Sequence, residues 1–365
     1  MVLDISSGSV GAGLVSLKLN SSPIIISSSR TSLNLQNKPT TETIEKALLE
    51  SLHKSLVEVG QSSVEKVIIS FSSPWITSGL RTYSYKSKIP FIVDQKYISN
   101  ILNEQESEFA KELNLKYTNK SEVFNSKITS ISLNGYDANP KLGKKVSSIE
   151  IQMMMNASEK SLIQKIEEEI IKVIGVRDGV LLENFMFAFM TVLTNAFQNV
   201  HSALLINMSN ETSDFLLVRN GHPLFSISLP VCPAYIARAI QKEFDVPLNV
   251  AYSYISLFSE GVLEKEMIER MDKLFGAMEI YWTNEWQKAI SSIEGEQTTP
   301  NKIFIIGSVP NESVIKTLLS SIFSGHEVVM VDRKSNLMQH LTTASTETGV
   351  DDRVSILAAF SKICS

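Results

Sequence analysis

Two separated stretches carry residues that could handle phosphate. Near the start, Asp4 lies at the end of a short apolar strand and is followed by the small-residue turn Ser6-Ser7-Gly8-Ser9 and a second strand opening at Val10. A turn of such small residues lets backbone N–H groups come close to an anion, and an aspartate at the end of the strand before it can hold a metal-bound water. A tight β-hairpin whose glycine supplies an unusual dihedral is the plainer alternative. Near residue 200 the unit recurs. Ala203-Leu204-Leu205-Ile206 reads as a buried strand, Asn207 to Asp214 as a polar turn containing Ser209, Asn210, Glu211 and Thr212, and Phe215 to Arg219 as the strand leaving it. Two such units facing each other would clamp a nucleotide phosphate chain, with Asp4 on one side and Asp214 on the other.

These stretches resemble motifs of the actin-like ATPases, and within that superfamily the branch of the cell-division protein FtsA and the pilus-assembly protein PilM. Asp4 to Gly11 is similar to the first phosphate motif and Ile206 to Asp214 to the second. Lys302 to Asn311, with Gly307 and Ser308 at its turn, resembles the adenosine motif, and Ser73-Pro74-Trp75 after the strand Val67 to Phe71 fits the same family. The resemblance implies an α/β protein of ribonuclease-H-like, actin-type fold with two lobes. It implies ATP in the cleft between them, contacted by Asp4, Ser6, Ser7, Gly8, Ser9, Val10, Asn207, Ser209, Asn210, Glu211, Thr212, Asp214, Gly307 and Ser308. Mg²⁺ would be held through water by Asp4. It further implies adenine and ribose contacts near Arg238 or Lys242 and Glu243, and a polar residue of the connecting region beside the attacking water, for which Asn195 and Gln198 are available.

The departures bear on chemistry. Where the family's second phosphate motif opens with an acidic residue and continues through glycines, this chain has Asn207, Ser209, Asn210 and Glu211, so one carboxylate for arranging Mg²⁺ and water is absent. Side chains stand where phosphate would approach. Gly307 is followed by Ser308-Val309-Pro310 in place of a glycine run. The expectation is ATP hydrolysis that is very slow or absent.

Bulk properties narrow the remaining classes. The 365 residues, 43% hydrophobic, suffice for two domains with real cores. With 34 basic against 39 acidic residues, a net charge of -5 and no dense Lys/Arg tract, nucleic-acid binding is not expected. Cys232 and Cys364 form no CxxC pattern, which fits a reducing cytoplasm, and His53, His201, His222, His326 and His340 show no metal-ligand spacing. No run of 18 apolar residues predicts a membrane span, and with the first strand opening at Val2 a cleaved signal peptide is not expected.

The elements that would position the motifs follow from periodicity. Strands are predicted at Val2 to Ile5, Val10 to Leu19 and Ile24 to Ser28, then a helix from Glu42 to Glu58 with Ile44, Leu48, Leu52 and Leu56 as its stripe, Thr41 as cap and Gly60 as stop. The first lobe spans 1–81. An inserted domain spans 82–175, with a helix at Gln95 to Leu113, strands at Phe124 to Leu133 and Val146 to Met155, and a helix at Glu159 to Ile174. Leu133-Asn134-Gly135-Tyr136 with Gly143-Lys144-Lys145 resembles the insertion that distinguishes FtsA and PilM, the SHS2-type subdomain, which argues against ordinary actin or a sugar kinase. The connecting segment 176–202 holds a helix at Leu182 to Asn199, apolar enough to be buried on several sides. The second lobe spans 203–350 and is helical over 234–294. A short apolar helix is predicted at Val354 to Ile363 within 351–365; the resemblance implies that it returns to the first lobe, and no amphipathic anchor is expected beyond it.

The resemblance therefore points to a cytoplasmic scaffold in cell division or pilus-type assembly, recruited to the inner membrane face by a partner and able to self-associate into oligomers or filaments. An active filament-forming ATPase is the alternative. The inserted domain is expected to supply the protein contacts.

Overall fold

The computed structural model describes residues 1–18, 21–33, 40–60, 64–117, 120–137, 143–197, 200–293, 298–307, 312–332, 338, 341 and 351–364. The chain opens with β1 (Val2–Ile5), β2 (Ser9–Ser16) and β3 (Ile24–Ser32), an antiparallel meander, followed by α1 (Thr41–Val59) and β4 (Val67–Phe71), which lies parallel to β1. β1 and β4 are buried at every position, as strands covered on both faces must be. The cap of α1 is Thr40, one residue before the expected Thr41, because the Thr40 side chain accepts from the Thr43 N–H. Leu48, Leu52, Leu56 and Val59 of α1 pack into the first-lobe core.

An excursion follows: β5 (Thr77–Val93), α2 (Gln95–Lys116), β6 (Ser121–Leu133), β7 (Tyr136–Asp137) and β8 (Lys144–Glu159), then α3 (Lys160–Ile174). The four strands make a separate sheet in the order β5-β8-β6-β7 with its own core, in which Phe109 and Leu113 of α2 meet Ile149, Ile151 and Met153 of β8. Its long first strand, β5, is not foreseen from the sequence: Tyr83 to Lys88 alternates polar residues with tyrosine and lacks an apolar stripe. α3 belongs elsewhere than the sequence places it. Leu162, Ile166, Ile170 and Val173 turn toward α1 and join the first-lobe core.

The chain then returns through β9 (Val180–Asn184), parallel to β4, so the first-lobe sheet runs β3-β2-β1-β4-β9. α4 (Phe185–Ala196) starts only after it, where periodicity predicts helix from Leu182. The second lobe repeats the design: β10 (Ser202–Met208), β11 (Ser213–Arg219) and β12 (His222–Leu229) form a meander. Three helices follow, α5 (Pro233–Phe244), α6 (Leu248–Ser259) and α7 (Lys265–Ser291). β13 (Lys302–Gly307), α8 (Glu312–Ile322) and β14 (Glu327–Met330) complete a sheet in the order β12-β11-β10-β13-β14. In α7 the buried stripe is Met271, Phe275, Met278, Trp282 and Trp286, while Val262 before it is exposed.

The last described helix, α9 (Asp352–Ile363), is buried from Arg353 to Ser361. With α4 it fills a core shared by both sheets, where Phe185, Phe189, Leu357 and Phe360 meet Val2 and Ile68 from one lobe and Leu205, Leu216 and Ile306 from the other. Gly13 of β2 lies under α9: a Cβ there would overlap Val354. Among the described residues no helix is long and apolar enough to cross a membrane.

Candidate functional site

The carboxyl ends of the central parallel strands of both sheets meet between the lobes, the place where open α/β sheets bind ligands. β1 delivers Asp4 and the turn Ser6 to Ser9, β4 delivers Ser72 and Ser73, β9 delivers Glu183 and Asn184, and β10 delivers Asn207 and the turn to Asp214. The two turns expected from the sequence do face each other. They also touch: a Cβ on Gly8 would overlap the Asn210 side chain, and the Glu211 N–H donates to Ser7 Oγ at 2.9 Å. Gly8 has no left-handed φ, so its glycine serves close packing of the turns and not an unusual dihedral.

Asp4 is fully buried and bound on both oxygens. Arg353, from the first turn of α9, donates Nε to Asp4 Oδ2 at 2.6 Å and Nη2 to Asp4 Oδ1 at 2.7 Å, a bidentate pair. The same guanidinium donates to Ser72 Oγ at 2.8 Å and to Asn207 Oδ1, and it stacks on the Phe185 ring at 3.9 Å. Arg353 thus spans first lobe, second lobe and connecting helix. From β3, Arg30 donates to Asp4 Oδ2 at 2.7 Å, to Ser9 Oγ at 2.7 Å and to both oxygens of Asp351. Burial works against the charge on Arg30, but the Asp351 and Asp4 carboxylates outweigh it and hold its pKa above the ordinary value. Burial likewise works against the Asp351 carboxylate, and Arg30 reverses that, keeping its pKa below the usual range.

Asp214 is tied across the lobes. Its Oδ2 accepts from the Ser73 N–H at 3.2 Å and from Asn207 Nδ2 at 3.3 Å, and its Oδ1 accepts from Ser228 Oγ at 2.6 Å. Asn207 Nδ2 also donates to Ser72 Oγ at 3.0 Å. Thr212 Oγ1 donates to the Ser73 carbonyl at 3.1 Å, and Trp75 Nε1 to the Ser6 carbonyl at 2.8 Å. Ser6, Ser7, Ser9, Asn207, Ser209 and Asp214 are all buried.

The remaining expected residues separate into near and far. Val10 is buried in the first-lobe core. Gly307 ends β13 beside Met208, so it does join the site, while Ser308 to Asn311 and Gln198 lie outside the described residues. Arg238 pairs with Glu211 at 2.7 Å, Glu243 with Arg270 at 3.1 Å, and Lys242 is exposed. Asn195 is exposed and donates to the Thr191 carbonyl. At about 1.5 Å per residue it stands roughly 15 Å down α4 from the end that meets the cleft. That end holds Asn184 and Phe185 instead. Asn184 Nδ2 donates to Ser78 Oγ and Asn156 Oδ1, both at 2.7 Å, and beside it Glu183 Oε2 lies 3.2 Å from Lys127 of β6. Arg30, Ser72, Asp351 and Arg353 are absent from the sequence-based site. The one local signal for Arg353 is a lone cation opening the apolar run Val354 to Phe360.

The residues do not fit a magnesium nucleotide in this arrangement. Two guanidiniums already balance the carboxylates of Asp4 and Asp351. A divalent cation would have to displace these guanidiniums to reach the oxygens of either carboxylate. The Glu211 N–H, which could face a phosphate, is engaged by the opposite turn. Among the described residues no group of three or more His, Cys, Asp and Glu side chains could hold a metal ion. Beside the turns opens a cavity of about 730 Å³, walled by both lobes and the excursion, with Trp75, Tyr117, Leu162, Thr212 and Ile227 in its lining.

No family model matches the sequence, and no curated protein matches it either. Among solved structures, one described as the PilM-PilN type IV pilus biogenesis complex aligns with 99% of this chain and 97% of its own at 14% identity and a TM-score of 0.65. The fold is that of the actin-like ATPases. A Bacteroides thetaiotaomicron protein with actin-like ATPase fold and unknown function covers 99% of this chain and 94% of its own at 9% identity and a TM-score of 0.47. The ethanolamine utilization protein EutJ from Carboxydothermus hydrogenoformans covers 90% and 83% at 9% identity and 0.45. At these identities the likeness is one of fold.

Proposed function

We propose that this chain is a cytoplasmic protein-assembly scaffold of cell-division or pilus-type machinery, brought to the inner face of a membrane by a partner, with ATP turnover very slow or absent. The observation that carries this reading is the excursion between β4 and α3. It is a sheet with its own core, and β5 lies at its edge with Tyr85, Ile89 and Ile92 exposed, Ile89 by 78%. Tyr136, at 79%, stands out from the hairpin of β6 and β7. Large apolar side chains held in water, on a strand edge with unpaired backbone groups, suit protein contact. The likeness over the full chain to PilM, solved in complex with PilN, supports the same reading, and the missing carboxylate at Asn207 supports the lack of turnover.

Charge introduced at both exposed isoleucines, Ile89→Lys with Ile92→Lys, leaves the core untouched and tests the reading. In cells of the source organism, chemical crosslinking of the wild-type chain should give discrete adducts with division or pilus proteins or with itself, and the double variant should lose them. Equal adducts from a variant of unchanged melting temperature would move the contact away from this module. Sustained phosphate release from ATP at about 1 s⁻¹, within the usual enzyme range, would favour the filament-forming ATPase instead.

A further inference from the structure

We propose that the interlobe cleft is clasped by the chain's own guanidinium groups in place of a metal-bound nucleotide, so that lobe closure follows the docking of α9 and not ATP. The geometry is specific. One fully buried side chain, Arg353, reaches Asp4 and Ser72 of the first lobe and Asn207 of the second at once. Of these, Asp4 and Asn207 are positions that the resemblance to the actin-like ATPases assigns to metal and phosphate. Arg30 completes the clasp by joining Asp4 to Asp351, the residue that caps α9 through the Val354 N–H.

Three further observations point the same way. Gly11 and Gly13 of β2 clear space for Arg30 and Val354. Phe185 offers the guanidinium a ring face where the connecting helix enters the cleft. The turns press directly on each other at Gly8 and Asn210, leaving Ser6, Ser7, Ser9 and Ser209 buried. A ligand shifts a conformational equilibrium only by its differential affinity for the two states. A cation carried on the chain has a high effective concentration at all times, and so needs no ligand to close the lobes.

The test uses the full chain. Calorimetric titration with Mg-ATP and with Mg-ADP to about 1 mM, the upper end of usual enzyme affinities, should give no saturable heat. Hydrogen exchange at 4–10 and 207–214 should be unchanged by either nucleotide. Arg353→Gln should speed exchange of both turns by about tenfold or more, as a locally opened unit does. Arg353→Lys keeps the charge and the helix but offers three donors on one nitrogen where the guanidinium makes four hydrogen bonds from three, and should give a smaller acceleration. Should the Gln variant fail to fold, the Lys variant and the wild-type titration still decide. Saturable Mg-nucleotide binding by the wild-type chain, or turns whose exchange is the same in wild type and the Lys variant, would overturn the proposal. Neither outcome depends on the crosslinking of the β5 surface.

Discussion

Gly8 shows how one residue type serves two opposite purposes. In a phosphate turn a glycine lets an anion approach, whereas here it lets the Asn210 side chain approach. The distinction can be measured. Gly8→Ala should destabilise by about 1–3 kcal/mol, the usual range for overpacking a filled site. In an Asn210→Gly background the same substitution should cost less, giving a coupling of about 0.5 kcal/mol or more, the lower end for residues in contact. Urea unfolding of the four proteins closes the cycle. An unchanged cost in both backgrounds would mean that something other than the opposing turn requires the glycine.

Among the elements, the junction of β6, β8, β9 and α4 joins the excursion to the first lobe through buried polar groups. Glu183 is fully buried, and burial raises its carboxyl pKa above the usual range although Lys127 and the hydrogen bonds from the Asn184 N–H and Asn125 pull it back. A carboxyl raised on folding contributes stability that is complete below its unfolded value of about 4.3 and is lost as pH rises through the folded value. Glu183→Gln keeps an oxygen acceptor for Asn125 and removes that loss. The variant should therefore melt higher than wild type at pH 7, with the gap closing toward pH 4, in thermal scans across that interval. A variant that melts lower at pH 7 would show that the ion pair with Lys127 outweighs the burial of the carboxylate.

For the molecule entire, the excursion leaves and re-enters the first lobe at paired positions, Ser78 opposite Asn156 and Thr77 opposite Ala157. Residues 79–155 can thus be replaced by a short glycine turn without stretching the chain, and Ser78 and Asn156 remain to hold Asn184. Such a deletion should keep the cooperative unfolding of the two-lobed core, read by circular dichroism, and should lose partner crosslinking. If the folded deletion still associates, the helical face of α5 to α7 becomes the contact, where Ile280 and Tyr281 reach solvent. The cores are largely separate: Ile149, Ile151 and Met153 pack with α2, whereas Leu162 and Ile166 of α3 pack with α1. The removed segment reaches the first lobe through Phe124 on Phe71 and through Asn125 and Lys127 on Glu183, where Glu183→Gln accompanies the deletion.

Local pattern determined much of this architecture. The strand-turn-strand units at Asp4 and Asn207, the four-residue stripe of α1 and the all-round apolar character of α4 are readable from the amino-acid sequence, because each is set by neighbours within a few residues. β9 is not readable that way. Val180-Leu181-Leu182 is too short to separate strand from the start of the helix that follows, and only pairing with β4 settles it. The α3 stripe is visible, but the core it faces is not, since a helix pattern fixes which side is apolar and not what covers it. The site shows the same division most sharply. The sequence names Asp4, but its partner Arg353 lies 349 positions away, and no periodicity links the two. Whether Asp4 faces a metal or a guanidinium is set by the path of α9 between the lobes. That path depends on packing across the whole chain, on small residues beneath the helix and on the shared core that buries it.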